Sequence, residues 1–241
     1  MPPMAQKKLI RFAAIKGFAN VLENPTGMAG KWGACFKNNH PITLELACGR
    51  GEYTVALSKL SPLQNFIGID IKGNRIYIGA KKCLEENLMN AFFVRTQIQH
   101  LPLYFAAEEV EEIWLTFPDP HLRTSKAKNR LTYPRFLRLY RQVLKPGGCI
   151  HLKTDSPALY LFTKRVAELY GLIIVEDIYD VFAQQTMKEE LKIKTHYESL
   201  DIAGSNKIFY LKFQLPALIP DLDDALMEEL KQTENCSEII L

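Results

Sequence analysis

The stretch ITLELACGRGEYT, residues 42–54, runs from apolar alternation into two glycines, Gly49 and Gly51. Lacking Cβ atoms, they let the backbone approach a ligand closely, and a helix opening at Glu52 would present free N–H groups beside them. A dinucleotide-binding loop needs a third glycine three positions on, and here that position is Thr54. Roughly 20 residues further, the run NFIGID ends in Asp70, a carboxylate placed to accept the hydroxyls of a ribose. Glu45 on the first run and Asp119 in the turn TFPDPH, residues 116–121, belong to the same sheet edge. An acidic cleft there suits a cationic cofactor and repels a pyrophosphate. This reading favours S-adenosylmethionine over NAD. The bland alternatives stay open: Glu45 as a strand-end carboxylate satisfied by a nearby amide, and Asp119 as a turn cap between two prolines.

The elements that must position these residues follow from the pattern. ITLELA, NFIGIDI (65–71), AFFVR (91–95), IWLTF (113–117) and CIHLKTD (149–155) are short apolar runs bounded by turn residues. Between them lie helical patterns over Arg75–Leu88, Thr132–Leu144 and Pro157–Tyr170, the last with Ser156 as N-cap and Gly171 as stop. Alternating strands and helices predict an α/β, doubly wound, mostly parallel sheet. LIIVEDIYDV (172–181) and KIFYLKFQL (207–215) complete seven strands; no confident crossover helix joins them, so the last strand is expected to be antiparallel. The division is a basic and aromatic arm over 1–40, read as irregular, a domain over 41–216 and an acidic tail over 217–241, with a short amphipathic helix at 221–232 and loosely ordered closing residues.

Charge sharpens the picture. The net formal charge of the 241 residues is only +3, but residues 121–145 hold eight cations and no Asp or Glu. Such a segment predicts a polyanion-facing surface, although Arg138 and Arg141 could equally solvate the outer face of the 132–144 helix. The five cysteines are scattered without a CxxC pair, and the histidines show no ligand spacing. No metal site or disulfide framework is expected. With no long apolar segment, the expectation is a cytoplasmic protein, monomeric rather than an obligate oligomer.

The ordered set ITLELACGRGEY, FIGIDI, TFPDPH, NRLTYPRFL, KPGGCIHLKTD and THYE resembles the bacterial tRNA (guanine-N7-)-methyltransferases, from about Asn24 to Leu215. The resemblance implies a class I methyltransferase fold and methylation of guanosine 46 in the tRNA variable loop, with S-adenosyl-L-methionine as donor. It implies cofactor contacts at Glu45, Gly49, Gly51, Asp70, Gln97 and Asp119, with Asp119 also catalytic. Arg123, Asp155, Thr195 and Glu198 match the substrate-binding positions, the last two as the ends of a TxxE motif. The tRNA would lie along the basic segment 121–145.

Three departures stand out. Gln97 occupies a position that is usually acidic, the pattern DPWPKKRH becomes DPHLRTSK with His121 and Arg123, and a basic KRR thins to Lys128, Asn129 and Arg130. Arg in place of Lys alters hydrogen-bond geometry while keeping charge. These changes keep open a tRNA-binding protein with weakened catalysis; an NAD-dependent oxidoreductase is the other alternative.

Overall fold

The computed structural model describes residues 4–200, 204 and 206–238. Among them, strands β1 (Val21–Glu23), β2 (Ile42–Leu46), β3 (Asn65–Asp70), β4 (Ala91–Arg95), β5 (Val110–Thr116), β6 (Leu144–Thr154), β7 (Ile173–Ile178) and β8 (Phe209–Gln214) form one sheet. Its order is β1-β4-β3-β2-β5-β6-β8-β7. Every residue of β2 and β3 is buried, as expected for central strands of a sheet covered on both faces. β8 runs antiparallel to both β6 and β7, and the other pairings are parallel.

The sheet therefore has eight strands where the sequence pattern counts seven. The extra strand, β1, comes from the segment read as irregular. That segment carries α1 (Met4–Ala14), β1 and α2 (Trp32–Phe36), and β1 extends the sheet by pairing with β4. Three residues are too few for periodicity to register. Trp32 anchors the segment: it is fully buried, its indole N–H donates to the Tyr104 carbonyl at 2.9 Å, and its ring stacks on Phe105.

Helices α3 (Glu52–Leu60), α4 (Gly73–Glu85), α5 (Leu101–Tyr104), α6 (Pro134–Val143) and α7 (Pro157–Tyr170) fill the crossovers. The ends of α7 follow their sequence signals: the Ser156 hydroxyl accepts from the Leu159 N–H, Pro157 takes the first turn, and Gly171 closes with φ +68°. Between β7 and β8 the described residues form a strap of short turns and α8 (Glu189–Lys192), with no crossover helix among them. Reaching β8 this way reverses its direction. The acidic tail forms α9 (Asp223–Glu238), longer than the pattern at 221–232 indicates. It is clamped from two sides, by Arg138 of α6 on Asp223 and Arg165 of α7 on Glu229. Residues 239–241, part of the tail expected to be loosely ordered, lie outside the described residues.

Candidate active site

The C-terminal ends of β2, β3, β4 and β5 converge on one edge, where open α/β sheets hold ligands. After β2 the chain turns sharply through Ala47, Gly49 and Gly51, all at positive φ. A side chain at Gly51 would meet the Phe93 ring at 2.4 Å, so glycine is required there both by conformation and by close packing. Asp70, buried at the end of β3, organises this turn. One carboxylate oxygen accepts from the Gly49 N–H at 2.9 Å and the other from the Lys72 N–H at 2.7 Å.

Beside Asp70 opens a cleft of about 340 Å³, lined also by Ala47, Gln97, His121, Asn129 and Arg135. Asp70 and Gln97, expected together at a cofactor, both line this cleft. The lining is not uniformly acidic, because Arg135 and His121 are part of it. Asp119 is on the neighbouring turn with its side chain 73% exposed, its carboxylate accepting the His121 N–H at 3.0 Å in a local turn. Glu45 does not line the cleft. It is buried beneath the turn, where one oxygen accepts both the N–H (2.7 Å) and the hydroxyl (2.5 Å) of Thr54, and the other accepts the Thr116 hydroxyl. Burial pushes its carboxyl up to about 7, the hydrogen bonds only partly opposing this. The residue that fills the missing third glycine position thus serves as Glu45's partner. The bland alternative for Glu45 describes the contacts it makes.

The TFPDPH turn is held from several directions. Phe117 and His121 sit at positive φ, an uncommon conformation for side chains of their size. The Phe117 N–H bonds to the Lys153 carbonyl of β6 at 2.8 Å. Arg130, buried and lying over the Phe162 ring, donates to the carbonyls of Pro120, His121 and Leu122. Sequence reasoning counted Arg130 with the polyanion-facing cations; here its charge secures the loop that carries Asp119.

Other cations of the 121–145 segment are also used internally. Arg138 grips Asp223 and the Pro220 carbonyl, and Lys145 pairs with Glu111. Arg123, Lys126, Lys128 and Arg135 are exposed. Of these, Arg135 lines the cleft and donates to the Asn129 side-chain oxygen, itself part of the lining.

Asp155 follows β6, partly buried. Thr195 and Glu198 are joined reciprocally: the Glu198 N–H donates to the Thr195 hydroxyl at 3.1 Å, and the Thr195 N–H approaches the Glu198 carboxylate at 3.4 Å. This is a capping box, the arrangement that T-x-x-E favours wherever a short helical turn begins. The turn lies against the glycine loop, for the Tyr197 ring comes within 3.7 Å of where a side chain at Gly49 would begin. Glu198 also meets Lys153, a fully buried lysine that sequence reasoning missed. A lysine inside a strand that otherwise reads as core, CIHLKTD, was the available signal.

No group of His, Cys, Asp and Glu among the described residues could hold a metal ion, and no helix among them is long and apolar enough to cross a membrane. The donor set at the cleft instead fits a nucleoside: a carboxylate at the end of β3, an amide at Gln97 and glycine backbone alongside.

Residues 39–211 match the protein family described as "Putative methyltransferase". A curated tRNA (guanine-N(7)-)-methyltransferase from Porphyromonas gingivalis is 48% identical over 202 residues, covering 82% of both chains. Its counterpart from Bacteroides thetaiotaomicron is 43% identical over 222 residues, 88% of this chain and 87% of the other. Among solved structures, the 16S rRNA methyltransferase KamB shares the fold, with a TM-score of 0.59 at 14% identity over 82% of this chain and 99% of that one.

Proposed function

The chain belongs to the S-adenosylmethionine-dependent tRNA (guanine-N(7)-)-methyltransferases, and from that membership we propose that its target is guanosine 46 in the variable loop, read and methylated at the edge described above. The observation that carries the assignment of the site is the Asp70–Gly49 hydrogen bond beside the Gln97 cleft. It gives a nucleoside-sized recess a ribose acceptor and close backbone approach. The chemistry is assigned to residues 41–216, with the 1–40 arm and the 217–241 tail as additions to a monomeric, cytoplasmic protein.

Guanine N7 carries a free lone pair, so its attack needs no general base. The bound donor supplies an electrophilic methyl on a sulfonium. Transfer to N7 would make the new N–C bond at the expense of the donor's C–S bond, place positive charge on the purine and release no proton. The protein's tasks are to hold two reactants in line and to stabilise charge on the ring. Asp70, Gln97 and the Gly49–Gly51 backbone hold the donor, with Glu45 fixing the α3 end of the loop from beneath through Thr54. Asp119, on a turn pinned by Arg130 and Lys153, faces the developing cation. Asp155, Thr195 and Glu198 accept from the N1–H and amino group of the base. Arg123, Lys126, Lys128 and Arg135 meet the phosphates on either side of it.

The test is transfer from labelled S-adenosylmethionine to unmodified tRNA, followed by mapping of alkali-sensitive 7-methylguanosine. Label at a variable-loop guanosine is the expected result. Label at another base or position would remove the assignment of guanosine 46.

A further inference from the structure

Lys153 is 0% exposed, and its ammonium group donates to the Leu191 carbonyl at 3.0 Å, the Ile193 carbonyl at 2.9 Å and the Glu198 carboxylate at 3.1 Å. All three N–H groups are therefore committed to one strap, and each acceptor lies about 40 positions or more away in sequence. Its own carbonyl holds the N–H of Phe117, at the root of the Asp119 turn. Two residues along the chain comes Asp155. One lysine thus joins the Asp119 turn, the Asp155 end of β6 and the TxxE strap. The rings of Tyr53 and Phe117 flank the ammonium at 5.6 Å each, which makes its surroundings dry.

Glu198 completes the observation. Its side chain is 6% exposed, yet only one carboxylate oxygen has partners; the other, Oε1, is buried with none. A buried acceptor left unmatched in a folded protein is costly, and this one belongs to the strap that lies against the glycine loop. A ligand donor such as the N1–H or amino group of a purine would satisfy it.

We propose that Lys153 is a positioning residue for base recognition: its ammonium fixes the strap on the sheet and gives Glu198 its counter-charge, with Oε1 left free to accept from the guanine. This rests on the functional reading above. Burial lowers the Lys153 pKa, and the neighbouring Glu198 carboxylate opposes the shift. The other titratable groups bearing on the pair are Lys194 in the strap and Tyr53 of α3, the latter itself flanked by Glu45, Glu190 and Tyr210.

The experiment uses the full chain, with Lys153→Met, Glu198→Gln and the double variant K153M/E198Q. Thermal unfolding, S-adenosylmethionine affinity and kcat/KM for tRNA between pH 6 and 9 are measured for each. In K153M the carboxylate loses its counter-charge and takes up a proton, so kcat/KM at pH 7 is expected to fall by roughly tenfold to a hundredfold and to recover as pH rises. E198Q is expected to lose a similar amount with no recovery at any pH. The double variant should regain thermal stability relative to K153M while remaining poor toward tRNA. Donor affinity should stay within about threefold of wild type throughout.

A K153M profile parallel to wild type, or a loss that no rise in pH relieves, overturns the role of Lys153. So does a double variant that recovers activity along with stability. If wild type itself transfers no methyl to tRNA, the functional reading is what fails, and the two results are distinct.

Discussion

The Glu45 carboxylate accepts both the backbone N–H and the hydroxyl of Thr54, nine positions apart, and so ties the end of β2 to the first turn of α3. The bond spans the glycine loop from below. It makes the loop's shape depend on a buried acid.

That acid has a pH signature. Burial raises the Glu45 pKa to about 7 from the usual 4.5, so between those values the folded chain binds more protons than the unfolded chain. Stability therefore falls as pH rises through this window and levels off above it, by about 3 kcal/mol at most. Urea midpoints for wild type and Glu45→Gln across pH 4.5–8 provide the check. The amide cannot ionise, so the wild-type-minus-variant difference should carry the slope; a pH-independent difference would assign Glu45 no such shift.

Asp70 holds the loop from its open side. Replacing it with Ala frees the Gly49 and Lys72 N–H groups and removes the proposed ribose acceptor. S-adenosylmethionine affinity by calorimetry is expected to drop by tenfold or more, about 1.4 kcal/mol or above, while tRNA affinity changes little. Equal weakening toward both ligands would point to general unfolding of the edge.

Asp119→Asn keeps the local hydrogen bond to the His121 N–H, because an amide oxygen also accepts, but removes the negative charge. Under the proposed role of Asp119 toward charge on the purine, kcat should fall by roughly tenfold to a hundredfold with donor affinity nearly unchanged. Full turnover in D119N, with both ligands bound, would leave Asp119 as a turn cap alone.

The basic segment divides into two groups, and salt separates them. Neutralising Arg123, Lys126 or Lys128 should each lower the log–log salt slope of tRNA binding by about 0.7 to 0.9. Arg138→Ala should leave that slope intact, because Asp223 and the Pro220 carbonyl occupy its guanidinium. Its effect should be on the tail instead, with stability down by about 1 kcal/mol as α9 loosens, read by thermal unfolding. Arg130→Met belongs with the structural group: it frees three loop carbonyls and should reduce kcat without changing the slope.

The strand and helix alternation, the glycine loop and Asp70 were legible because they depend on local facts. Hydrophobic period, turn residues and the distance from a loop to the next strand end are all written within about 30 residues. The caps of α7 and the reversed direction of β8 belong to this class. The motif set was long and ordered enough to indicate the family as well. Other features were hidden by their range. β1 is too short to show a period, and only its pairing with β4, some 70 residues on, makes it a strand.

The sequence alone carried seven of the eight strands and the glycine loop, because each is encoded by residue type at short spacing, and its ordered motifs carried the resemblance to the family. Only the tertiary structure decided which charges face outward. Glu45 turned inward to Thr54, Arg130 and Arg138 to carbonyls and the tail, and Lys153 to Glu198, 45 positions away. An ionised side chain reads the same in a sequence whether it meets water, an RNA phosphate or a buried partner. What distinguishes these cases is desolvation and a partner brought close by folding, and neither exists until the sheet has formed.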